Sequence, residues 1–280
     1  MKPIDFDSYF QDMVRQWVEE NEARFEDPDD MESEIPTIYE TFVNTEVDWL
    51  EGKSPVSYFA EFNDSKLLLD SITNYIDAEI SVPDLLLERL VELGDEDAII
   101  SIVEDPKIST ETRMYAIDIL RQLDSRKPLV TYLRWIALQQ EDEDLRENAL
   151  DSIRLMGEEI YGSAKIAFQA GNESVKEALL DVLCDYPEKK DEDVFSFAHS
   201  QFKKTQDKRA LYAAYLAKLD NDHALEALLD VAESDDVSYI DFIEIRSAIE
   251  RLGSEAPIRD FSKDPTYIAV QELQKGDDDE

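Results

Sequence analysis

The chain has 280 residues, a hydrophobic fraction of 43% and a formal net charge of −39 at pH 7. The apolar fraction is sufficient for a continuous core and excludes wholesale disorder, whereas the charge repels nucleic-acid phosphates and anionic lipids and argues against direct binding to either. No run of residues approaches the 18 apolar positions of a membrane span.

Residues 1–62 are predicted to form three helices that cap the rest of the chain. Apolar residues recur at helical spacing over residues 6–18 and again over residues 35–50. The acidic stretch 26–30 is expected to break the chain between these two helices. A third helix is predicted to start after Ser54, a residue type typical of the N-cap, with proline at the first helical position.

An eleven-residue pattern that ends on a large apolar residue occurs six times in the next segment, residues 63–255. The final residues, spaced 30 or 33 apart, are Leu93, Leu123, Met156, Tyr186, Leu219 and Leu252. A fixed period of this size indicates a repeat protein, in which each unit buries its apolar face against its neighbours. Each unit is predicted to be a helix pair with the pattern on its second helix, and no β-sheet is expected because period-two alternation is missing.

The helix bounds of the repeats follow from the apolar periodicity and from acidic or small polar residues that are expected to cap each helix start. The predicted pairs are 67–76 with 84–93, 98–104 with 110–123, 128–139 with 144–156, 161–169 with 173–186, 194–204 with 208–219, and 224–232 with 239–252. Residues 256–280 are predicted to close the repeats with one short helix at 267–273 and a disordered acidic tail.

The repeat residues resemble HEAT-type helical repeats in their divergent bacterial form. The resemblance is carried by residues 112–123 and 145–157, with weaker versions at 175–183 and 208–219, and the repeats cover about two thirds of the chain. It implies an all-α fold, an α-α superhelix of about six antiparallel helix pairs behind the N-terminal helical cap. It also implies a concave binding surface, but it does not imply an activity.

Charged residues recur at equivalent positions in the second, third and fourth copies of the pattern. They are Arg113, Asp118, Arg121, Arg146, Asp151, Arg154, Lys176 and Asp181. Stacked repeats place equivalent residues side by side, so these charges are predicted to form rows. The rows are interpreted either as a concave-face strip that binds a partner or as a ladder in which each Asp pairs with a neighbouring Arg or backbone N–H and joins adjacent repeats. The alternation of Arg and Asp favours the ladder.

Recognisable catalytic and metal-binding motifs are missing, so we predict a non-enzymatic protein without a cofactor or metal. His199 and His223 belong to no HxxxH motif, nor to the His-Glu pairs of the HEAT-like di-iron hydroxylases. Cys184 follows an apolar stripe and is expected to be a buried, inert thiol. The basic residues at 189–190 and 203–209 are expected to contact the acidic N-terminal segment, although similar islands hold DNA in HEAT-like glycosylases.

The acidic excess is greatest in the first third of the chain. Residues 1–99 hold 27 acidic and 6 basic side chains, against 40 and 22 in residues 100–280. Such a field attracts basic proteins or cations, and a solubility adaptation is the competing explanation. The lone cysteine and the lack of an apolar N-terminal stretch favour a soluble, cytoplasmic protein.

These features together predict a protein-interaction scaffold whose concave face binds a basic protein or peptide. Two alternatives stay open. One is a small-molecule or metal-dependent enzyme that uses carboxylates in a groove. The other is an acidic nucleic-acid mimic with carboxylates spaced like phosphates. Direct contact with nucleic acid or a membrane is not expected, and the sequence leaves the oligomeric state open.

Overall fold

The computed structural model describes residues 1–25 and 28–277, and these residues are all-helical without a β-strand, as predicted. An isolated β-bridge joins Val47 and Lys53. The helices are α1 (Phe6–Asn21), α2 (Pro28–Glu32), α3 (Ile35–Asn44), α4 (Pro55–Ala60), α5 (Ser65–Asp77), α6 (Asp84–Leu93), α7 (Glu96–Glu104), α8 (Thr110–Gln122), α9 (Leu129–Leu138), α10 (Glu143–Leu155), α11 (Tyr161–Ala170), α12 (Glu173–Cys184), α13 (Glu192–Lys204), α14 (Arg209–Leu219), α15 (Asp222–Ala232), α16 (Tyr239–Arg251) and α17 (Pro265–Asp277).

The twelve helices predicted for the repeat segment, α5–α16, are all present with bounds within two residues of the predicted ones. Polar side chains cap eight of them, as expected, whereas α6, α9, α11 and α14 start without a side-chain cap. The side chains of Asp95, Ser109, Asp142 and Asp191 accept hydrogen bonds from backbone N–H groups in the first turns of α7, α8, α10 and α13. These N–H groups have no partner within the helix, so the caps fix where each helix starts.

The N-terminal segment differs from its prediction in two places. The helix expected over 35–50 ends at Asn44, because Thr45 is extended and Val47 begins a tight turn that closes on Lys53. Leu50 is buried in the core from this turn. Its spacing from the apolar residues of α3 is therefore the same as in a longer helix, which is why the helix was predicted to continue to residue 50. Residues 26 and 27 of the predicted break lie outside the described residues, and Pro28 starts the short helix α2, where a loop was expected.

One compact unit comprises Met1–Gly157. Its first helices pack together, α1 on α3 and α3 on α4, and α4 packs on α6. The ring of Phe6 lies 5.5 Å from that of Trp49 in an aromatic core, and the backbone N–H of Ile4 donates to Tyr75 Oη at 3.2 Å. Further along the chain, α8 packs against α6, α7 and α10.

The second compact unit comprises Glu158–Glu280. Within it α12 packs against α14 and α14 against α16, while α11, α13 and α15 pack against the helices that follow them. Helix α17 packs on α16 and extends beyond the predicted 267–273 into the tail; residues 278–280 of that tail lie outside the described residues. The predicted domain boundaries at 62 and 255 stay a prediction. The compact units divide the chain elsewhere, after Gly157, between the third and fourth predicted helix pairs.

Candidate functional site

Arg113, the first residue of the predicted strip, is buried in the first unit. Its exposed fraction is 3%. Its Nε donates to the carbonyl of Val103 at 2.9 Å, its Nη1 donates to Glu141 at 2.7 Å, and its guanidinium carbon lies 5.2 Å from the ring centre of Trp135. These partners belong to α7, to α9 and to the segment before α10. Arg113 therefore joins two predicted repeats through charge-assisted hydrogen bonds and a cation–π contact.

Arg121 and Arg146 also make structural contacts. Arg121, on α8, donates from Nε to Ser152 Oγ at 3.2 Å and from Nη2 to the carbonyl of Asn148 at 3.1 Å, and both acceptors lie on α10. Arg146 donates to the carbonyl of Glu141 at 2.6 Å, just before its own helix. Arg121 therefore connects neighbouring second helices, and Arg146 fastens the start of α10.

The two aspartates of the predicted strip in the first unit do not link predicted repeats as the ladder interpretation expected. Asp118 pairs with Arg121 at 3.2 Å, and Asp151 pairs with Arg154 at 2.5 Å, each within one helix. The side chains of Asp118 and Asp151 are 45% and 58% exposed. Exposed pairs of this kind contribute little to stability. Among the strip residues of this unit, Arg113 and Arg121 link predicted repeats, because a guanidinium is long enough to reach the next helix. Residues outside the strip link them as well, such as Thr110, which donates to Asp142.

The last two residues of the predicted strip lie in the second unit. Lys176 Nζ lies 5.6 Å from the ring centre of Phe168 and 5.9 Å from that of Phe197. Asp181, on α12, pairs with Lys218 on α14 at 3.3 Å. Here an aspartate does join second helices of successive repeats, as the ladder interpretation expected.

A small cavity lies beside Arg121 in the first unit. It has a volume of about 180 Å³ and is lined in part by Tyr132, Ser152 and Leu155. The hydroxyl of Tyr132 is buried and has no hydrogen-bond partner among the described residues. Burial raises the pKa of this hydroxyl, which keeps it protonated and able to donate. The structure thus leaves two buried donors unsatisfied at the strip, the Tyr132 hydroxyl and Nη2 of Arg113, which is costly for a folded protein.

Of the residues considered for catalysis or metal binding, Cys184 and His199 occupy packing positions and His223 is exposed. Cys184 is buried, and burial raises the pKa of its thiol, so it stays a protonated, inert thiol as predicted. His199 stacks on Phe195 with ring centres 5.5 Å apart, and partial burial lowers its pKa. Within the described ranges, no three His, Cys, Asp or Glu side chains are grouped so that they could hold a metal ion.

The basic island pairs with acids of its own unit, and the predicted contact with the N-terminal segment stays a prediction. The pairs are Lys189 with Glu158, Lys204 with Glu173 at 3.0 Å, and Lys208 with Glu177 at 2.9 Å. Each partner precedes its lysine by 31 residues, about one repeat. These ion pairs partly neutralise the island, which weakens any case for binding DNA.

A groove between α1 and α3 is a surface feature that the sequence pattern did not predict. We call it the α1/α3 groove; it has a volume of about 310 Å³ and is lined by Met13, Gln16, Trp17, Glu20, Glu34, Thr37, Ile38 and Thr41. Helical periodicity placed Met13 and Trp17 on a buried stripe, but both are only partly buried. Thr37, Ile38 and Thr41 of α3 lie opposite them across the groove and leave part of each side chain exposed.

No protein-family model, curated protein or solved structure matches this chain significantly. The HEAT-like assignment therefore rests on the repeat residues themselves. None of the helices in the described parts of the chain is long and apolar enough to span a membrane.

Proposed function

We propose that the protein is a non-enzymatic interaction scaffold, a HEAT-like solenoid of six helix pairs whose acidic surface binds a basic protein or peptide. The packing of second helices supports the repeat assignment. Helix α8 packs on α10 in one unit, and α12 packs on α14 and α14 on α16 in the other. Side-by-side packing of equivalent helices is the neighbour contact from which helical solenoids are built.

The observation that carries the proposal is the uncompensated negative charge. The chain has 67 acidic and 28 basic side chains, so 39 carboxylates would lack a cationic partner even if every Lys and Arg paired with a different acid. Several basic residues are already paired within the fold, including Arg113 with Glu141 and Lys218 with Asp181. The remaining field attracts and orients cationic partners.

Affinity capture from a native lysate at two salt concentrations tests this function. Electrostatic attraction acts over about 10 Å at 0.1 M salt and about 3 Å at 1 M, so the proposal predicts basic proteins enriched at 0.1 M and lost at 1 M. Quantitative mass spectrometry against a resin that carries an unrelated protein of similar net charge identifies specific partners. Enrichment no greater than on that resin would contradict the proposal.

A further inference from the structure

We propose that the α1/α3 groove is the docking site for a basic amphipathic helix of a partner protein. The inference rests on the proposed function for the basic character of the partner, and it adds the place and the shape of the contact. It differs from the predicted strip on the second helices, where arginines are engaged in joining repeats.

The floor of the α1/α3 groove is apolar and incompletely covered. Met13 and Trp17 project from α1 and Ile38 projects from α3. Phe6 is the only α1 residue that is fully buried, although α1 carries an apolar stripe over most of its length. A partly exposed Trp beside a flexible Met is the kind of surface on which partner side chains gain most of their binding energy.

The rim of the α1/α3 groove is acidic. Glu20 and Glu34 line it, and no Lys or Arg is among the lining residues. Residues 1–62 contain 17 acidic and only 4 basic side chains. Two of those bases are paired nearby, Arg15 with Asp12 and Lys53 with Glu61. Charge complementarity therefore favours a cationic occupant over an acidic or neutral one.

Two polar side chains of the α1/α3 groove, those of Thr41 and Gln16, already have partners within their own helices. Thr41 donates to the carbonyl of Thr37, and Gln16 donates to Glu20. An apolar side chain can therefore enter without leaving a buried donor unpaired. An amphipathic helix satisfies both parts of the site, because its apolar face covers Trp17 and Met13 while flanking Lys or Arg residues reach the carboxylates.

Fluorescence anisotropy with the full chain and a labelled amphipathic peptide of Leu and Lys tests the site. Gln16→Arg places a cation inside the α1/α3 groove, whereas Gln11→Arg makes the same change at an exposed position of α1 outside it. The wild type and Gln11→Arg should bind alike, and Gln16→Arg should bind at least tenfold more weakly. Thr37→Arg, on the opposite wall, should give the same loss, and circular dichroism checks that each variant is folded.

The outcomes separate the site from the general function. Equal binding by the wild type and all three variants would overturn the docking site and leave the scaffold function standing. Equal binding of a peptide with the same composition but scrambled periodicity would also overturn it, because charge alone would then explain the affinity. If the wild type does not bind the peptide, the site is overturned, and the capture experiment decides independently whether the scaffold function also fails.

Discussion

At the scale of single residues, Arg113 distinguishes the two interpretations of the charged columns. A partner-binding residue needs exposed donors, whereas Arg113 is buried and directs Nε at Val103 and Nη1 at Glu141. Its buried Nη2 has no partner among the described residues. The column itself was visible in the sequence as a repeated Arg position. The acceptors of Arg113 could not be read from the sequence, because they depend on how α7 and α9 pack around the guanidinium. Neither acceptor lies at a repeated position.

Replacing Arg113 by Met should lower the free energy of unfolding by about 2–4 kcal/mol, since Glu141 loses its cation and the Val103 carbonyl loses its donor. Urea denaturation measures the loss. Arg154→Met, at an exposed position of the same columns, is the control and should cost less than about 1 kcal/mol. Equal losses in the two variants would contradict the structural role assigned to Arg113.

At the scale of elements, α11 shows what capping rules can and cannot predict. Most starts of the repeat helices were predictable because polar caps precede them, although α11 starts after Ile160 without a side-chain cap. Most ends followed from the loss of apolar spacing. The close approach of Gly171, at the end of α11, to Val175 was not predictable, because it depends on how α12 packs against α11. A Cβ on Gly171 would lie 2.4 Å from Cγ1 of Val175, a fully buried residue in the first turn of α12.

The two glycines of this region should respond to alanine in opposite directions. Gly171→Ala should destabilise the protein by about 1–3 kcal/mol, because the added methyl group overpacks Val175. Gly162→Ala should stabilise it by about 0.5–1 kcal/mol, because no atom lies within 4 Å of the new methyl group and alanine favours the helix. Thermal unfolding of both variants measures the difference. Changes in unfolding temperature of the same sign for both variants would contradict the close packing of Gly171 against Val175.

At the scale of the whole molecule, the repeats and the N-terminal segment differ in how far the sequence determines them. Six copies of one pattern reinforce each other, so an error at one position leaves the helix assignments intact. The N-terminal segment has no repeat to support it, and the turn at Val47–Lys53 ended α3 six residues early. Met13 and Trp17 lie opposite the first turns of α3, away from that turn, and they stay partly exposed in the α1/α3 groove although periodicity alone assigned them to the core.

The most direct test of the α1/α3 groove as a docking site is hydrogen–deuterium exchange of the full chain, measured with and without a saturating concentration of the Leu/Lys peptide. Occupation of the α1/α3 groove should slow exchange of amides in α1 and α3 and leave α8 and α10 unchanged, because bound helices reduce local opening. The Gln16→Arg variant should lose this protection at the same peptide concentration, and Gln11→Arg should keep it. Protection of α8 and α10 without α1 and α3 would contradict the account and assign binding to the predicted strip instead.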